Sequence, residues 1–151
     1  MKINRIRLLG FAGIEFVIVL PILAIFIFSI IDFGRLLFQY NTLTKTARDA
    51  TRYLAAVTRP PLYGSDADYT NAVSQVSNLA LCGKLTGCTT PLVPGLNSSN
   101  IAIDYPTSGI AGVTLCRVTI SGYNTSFLTS VFPNATKDLG TISVTMRQVQ
   151  Q

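Results

Sequence analysis

The chain has no histidine and no tryptophan, and only 13% of its 151 residues are charged. Without an imidazole, no side chain has an ordinary pKa suited to acid–base work near neutrality. The seven carboxylates are scattered from Glu15 to Asp138 with no catalytic pairing, and the many serines and threonines have no activating base beside them. We therefore expect no enzymatic activity and no cofactor. Cysteine is scarce too, with only Cys82, Cys88 and Cys116. The Cys82–Cys88 spacing is too loose for a zinc site, so no metal is expected. In an oxidising compartment Cys82 and Cys88 can pair across CGKLTGC, leaving Cys116 over. A pairing that uses Cys116, or three small core residues, stays open on spacing alone.

What the chain has instead is one long apolar run. It is 48% hydrophobic, and the excess is concentrated near the start. From Phe16 to Ile31 only Pro21 and Ser29 interrupt the aliphatic and aromatic residues, and extending back to Phe11 adds Glu15 as the one charge. About 20 residues at 1.5 Å each match a hydrocarbon core of roughly 30 Å. The formal charge of +5 divides unevenly. Lys2, Arg5 and Arg7 precede the apolar run, residues 35–59 carry five basic residues against Asp49, and the chain beyond Pro60 is neutral. A nucleic-acid binder would put its positive charge on the folded domain, so no nucleic-acid partner is expected. The leading cations fit a cytoplasmic N-terminus with the C-terminal part exported.

Three zones follow: a basic leader (1–10), a long helix (11–59) and a small exported α+β head (60–151). The helix turns amphipathic beyond Asp32. Phe33, Leu36, Leu37, Tyr40, Leu43, Ala47, Ala50 and Leu54 recur at helical spacing. Arg35, Gln39, Thr42, Lys45, Asp49 and Arg52 mostly take the other side, and Asp32 and Arg35, one turn apart, can pair. Arg48 and Arg52 read as a solvated face. Arg59-Pro60-Pro61 ends the helix, and Pro21 removes a backbone bond inside it, where a kink is expected. In the head, DADYTNAVSQVSNLALCG predicts a second helix, capped by Asp66 or Asp68, apolar along Ala72, Val73, Val76, Leu79 and Ala80, and stopped at Gly83. Alternation in 101–105, 113–121 and 140–148 predicts three antiparallel strands. The stretch FLTSVFPNATKD between the last two reads as an apolar excursion, with Phe127, Leu128, Val131 and Phe132 taken as core.

The GFAGIEF stretch asks why a carboxylate stands at the head of a membrane-length helix. A cut after Gly10 makes Phe11 the first residue and Glu15 the fifth, whereas a cut after Gly13 would put Ile18 there. This arrangement resembles the class III leader of type IV pilins and pseudopilins. The sequence that follows resembles, more narrowly, the TadE-like family of the tight-adherence (Tad, type IVc) pilus. Gly10, Glu15-Phe16, Pro21, Phe33-Gly34-Arg35, Tyr40-Asn41, and Ala47 through Ala50 to Arg52-Tyr53 carry the resemblance, with ISVTMR near the C-terminus as a weaker echo.

The resemblance implies a structural minor pilin. A prepilin peptidase would cut it at Gly10–Phe11, and Glu15 would set register by pairing with the Phe11 ammonium of a neighbour. The partners implied are that peptidase, other pilin or pseudopilin subunits, the Tad inner-membrane assembly platform, and lipid before assembly. The location implied is the bacterial inner membrane with the head periplasmic, then the pilus surface, in a role in assembly and adhesion. A type II secretion minor pseudopilin shares the leader logic. A static membrane-anchored binding domain, with Glu15 reaching the headgroups, would show no processing.

Overall fold

The computed structural model describes residues 6–57, 67–106, 108, 110, 113–126 and 136–148, with side chains over 13–56, 69–106, 108, 110, 113–125 and 139–148. A single helix, α1 (Ile6–Val57), forms the axis of the molecule. It begins inside the basic leader, before Phe11, and runs unbroken through Pro21. It ends just ahead of the Arg59-Pro60-Pro61 stop, which lies outside the described residues along with Asp66. A second helix, α2 (Ala67–Cys82), packs on the distal part of α1, and Gly83 N donates to the Leu79 carbonyl at its end. The Asp68 side chain lies outside the description.

Three strands form the main sheet of the head: β1 (Ile101–Asp104), β2 (Leu115–Ile120) and β5 (Ile142–Arg147). They form an antiparallel sheet in the order β1-β2-β5, with Ile103 opposite Val118 and Val118 opposite Val144. The fold is thus α+β, as the alternation indicated. Cys116, Val118 and Ile120 point inward and are buried, while the residues between them are half-exposed. That period of two is what a sheet with one face on helices requires.

The core has two adjoining parts. Ala50, Leu54, Ala55, Val76, Ala80, Cys116 and Val118 make the one farther from the N-terminus of α1. Leu43, Ala47, Leu81, Cys82, Val93, Leu96, Ile120, Tyr123 and Ile142 make the other. Val76 and Ala80 therefore meet Leu54 and Ala50, while Leu81 and Cys82 meet Leu43 and Ala47, so α2 runs back along α1. Small residues on α1 (Ala47, Ala50, Thr51) let sheet and helix approach closely. The Thr51 hydroxyl, fully buried, donates to Ala47 O at 2.6 Å.

The stretch between β2 and β5 holds a second ribbon that sequence alternation did not reveal. Strands β3 (Asn124–Ser126) and β4 (Thr136–Asp138) pair antiparallel. Their register, Asn124 opposite Asp138, continues that of β2 and β5, where Ile120 faces Ile142. One long hairpin is interrupted at Gly122 and Gly140, both with left-handed backbone (φ +66° and +75°). An L side chain is disfavoured there, so two glycines let the hairpin bend while keeping its register. The tip, with Phe127, Leu128, Val131 and Phe132, lies outside the described residues.

Candidate functional site

The distinctive surface of this chain is the membrane-facing part of α1. From Ile14 to Ile31 every large apolar side chain is exposed; Phe16, Val17 and Ile30 are 63%, 69% and 71% accessible. No described part of the head covers this stretch. Such a surface is not stable in water, and its length and composition are those of a membrane-crossing helix. A helix is the right element for the purpose because it satisfies every internal backbone group within itself.

Glu15 is exposed at the start of this surface, on the same helix as Gly10 and Phe11. Phe11 and Glu15 are four residues apart, so they stand on one side of α1, separated by about 6 Å of rise. Gly10 sits in regular helix, not at its end. A carboxylate heading an otherwise apolar shaft is costly if it enters the bilayer centre, and less so near the headgroups.

Farther along α1, the face turned to the head departs from the one the sequence suggested. Leu43, Ala47, Ala50 and Leu54 are buried as expected, but Phe33, Leu37 and Tyr40 are exposed, at 61%, 45% and 44%. The buried line continues instead through Gln39 (4%) and Asp32 (6%). Gln39 was expected on the outer side. Its burial has a local cause: the Thr125 hydroxyl on β3 donates to Gln39 Oε1 at 2.9 Å, so the ribbon provides the polar partner a buried amide needs. Tyr123, two residues earlier, is buried and donates from its hydroxyl to the Pro94 carbonyl at 2.9 Å. Burial pushes its phenol pKa up, against opposing effects from Thr125 and the Arg35 charge. Lys45, Arg48, Asp49 and Arg52 are exposed on the outer side, as a solvated face.

Cys82 and Cys88 are disulfide-bonded, with Cα atoms 5.6 Å apart, and tie the end of α2 to the following loop. Cys116 is free and wholly buried. Its thiol pKa is raised by desolvation, partly offset by backbone hydrogen bonding at Met146. On the sheet's outer side Arg117 Nε donates to Asp104 Oδ1 at 2.9 Å and also forms an ion pair with that carboxylate. None of these groups converges on a cavity with Glu15. The head is a scaffold on α1, and its described residues do not extend the site.

These features define a protein built on one long N-terminal helix, uncovered over its first half and carrying a small α+β head on the second. The model of the family described as TadE-like protein matches residues 10–52, from Gly10 through the apolar shaft to Arg52 on α1. Over that segment the chain is similar to TadE-like proteins. No curated protein and no solved structure matches the chain. The matched segment holds the exposed shaft and Glu15, and stops before α2 and the sheet.

Proposed function

We propose that the chain is a minor pilin-like subunit of a Tad-type pilus, cut after Gly10 by a prepilin peptidase and assembled through α1. The observation that carries this reading is the placement of Glu15. It is the one charged residue between Arg7 and Asp32, and it is the fifth residue beyond the Gly10–Phe11 bond at the start of the family match.

The physical chemistry explains why cleavage would matter. In the uncut chain Glu15 lies well inside α1. After a cut, Phe11 begins the helix and presents an ammonium, and Glu15 comes to lie one turn from a positively charged helix end. In a packed filament that ammonium needs an opposite charge, since a buried unpaired charge is strongly unfavourable. A neighbour's Glu15 supplies it and fixes the axial offset between subunits. The head, larger than an assembly helix alone requires, suits a minor, tip or priming role over the bulk shaft.

The test is Glu15→Gln and Glu15→Leu in the native host. Both should insert in the inner membrane and be cut at Gly10. Both should be depleted at least tenfold from the sheared-surface fraction. Wild-type recovery of the Leu variant would contradict the register role.

A further inference from the structure

Where does the membrane end along α1? The composition of the chain changes at Asp32, but the exposed surface does not. Asp32 is buried on the head-facing side, as is Gln39. On the remaining sides Phe33, Leu37, Phe38 and Tyr40 continue the apolar shaft, with Phe38 70% exposed and Arg35 half-buried among them, its charge felt by Tyr123 of the head. The change comes about two and a half turns later. From Asn41 onward the exposed side chains of α1 are Asn41, Lys45, Arg48, Asp49 and Arg52, with Ala56 the exception.

We infer that the outer face of the bilayer meets α1 at Tyr40, and that the near end of the head is seated among the lipid headgroups instead of standing clear of them. This rests on the membrane-anchor reading of α1 and adds its depth. Ile14 to Tyr40 spans roughly 40 Å at about 1.5 Å per residue. That exceeds the hydrocarbon core of about 30 Å and equals a whole bilayer, headgroups included, at about 40–45 Å. Tyr40 then takes the interfacial position that suits an aromatic ring with a polar end, and Lys45 and Arg48 follow in water. Glu15 falls in the opposite headgroup layer.

The same placement gives Asp32 a reason to be buried. It lies about 12 Å below Tyr40 along the axis, deeper than a headgroup layer of roughly 6 Å. A carboxylate facing lipid there would be costly. The chain turns it toward the head, on the line of Gln39 and Leu43, and thereby keeps it from acyl chains. The head's descent along α1 is visible in its contacts. Cys116 lies beside the Thr51 carbonyl, Ile120 and Tyr123 pack with Leu43 and Ala47, and Thr125 reaches Gln39. The lipid surface, continuous with the shaft, is the occupant that the exposed apolar collar fits. The polar residues above Tyr40 set its edge.

The absence of native tryptophan makes a clean test possible. Ile22→Trp, Phe33→Trp, Phe38→Trp and Arg48→Trp, each at an exposed site, give single-tryptophan full-length chains for nanodiscs at one copy per disc. Emission is read with lipids brominated near the headgroup or deep in the chain. We expect Phe38→Trp to be blue-shifted and quenched at least twofold by the headgroup-proximal bromines. Phe33→Trp and Ile22→Trp, about 10 and 12 Å inside opposite edges, should respond to the deep bromines, and Arg48→Trp to neither. Quenching at Ile22→Trp with Phe38→Trp as unresponsive as Arg48→Trp would overturn the collar and leave the anchor intact. No quenching at Ile22→Trp would overturn both. A blue shift at Phe38→Trp that lipid does not quench and that grows with copies per disc would overturn it in favour of a second chain.

Discussion

Gly122 and Gly140 occupy the same register position in the hairpin that joins β2 to β5, two residues beyond the Ile120–Ile142 pair, and both are left-handed. They divide the hairpin into a sheet half packed on the distal part of α1 and a ribbon half that brings Thr125 to Gln39. An added Cβ at Gly140 meets nothing within 4 Å, and at Gly122 only Asn100 Nδ2 at 3.6 Å. The cost of alanine is therefore conformational. Gly122→Ala and Gly140→Ala should each lose about 1 kcal/mol, the lower end for a left-handed L residue. Thermal melts of the full chain in detergent check this; no change in either would mean the bend is not fixed by these residues.

The Thr125–Gln39 bond should couple the ribbon to α1. Gln39→Leu alone leaves the buried Thr125 hydroxyl without that acceptor, and Thr125→Val alone strands the amide. Each should cost about 1–3 kcal/mol. The double variant should cost less than the sum by at least about 0.5 kcal/mol, the lower end for contacting pairs. Additive losses would mean that the two side chains act independently.

Thiol reactivity should follow burial. Cys116 is buried with its thiol pKa raised, and Cys82 and Cys88 are joined. In the unreduced native chain a maleimide should label nothing at mildly alkaline pH. Unfolding should release one thiol, and reduction then three. Rapid native labelling would place Cys116 at the surface.

Acid should weaken the edge pair of the sheet. The Arg117 hydrogen bond holds the Asp104 carboxyl below its usual 3.8, outweighing desolvation. A lowered carboxylate pKa favours the folded state above the unfolded-state value, and this gain disappears as pH falls through the folded value. The pair is partly solvent-exposed, so the effect is small. Asp104→Asn should be slightly less stable than wild type near pH 7, and the gap should begin to narrow as pH falls below about 4. A gap that stays constant on acidification would assign the difference to packing.

The membrane shaft and the three sheet strands could be read from the sequence because each obeys one dominant rule. Phe16 to Ile31 is nearly unbroken apolar sequence, and Cys116, Val118 and Ile120 alternate with residues that reach the other face. Long-range partners limited the rest. Gln39 has no apolar signal, and its burial depends on Thr125, 86 residues away. Phe33, Leu37 and Tyr40 look like core by periodicity but are exposed, as the proposed lipid collar requires. The β3–β4 strands, NTS and TKD, are polar and short, and only their shared register with β2 and β5 identifies them. The proposed processing and Glu15 pairing would involve other proteins, so the fold of one chain does not carry them.

The measurement that tests the account most directly is intact-mass and N-terminal analysis of the chain from its host's membrane and sheared-surface fractions. Processing predicts a chain that starts at Phe11 in both, and retention of the leader when Gly10 is replaced. A chain still starting at Met1, in a host with an active prepilin peptidase, would contradict the pilin reading and leave an anchored head domain.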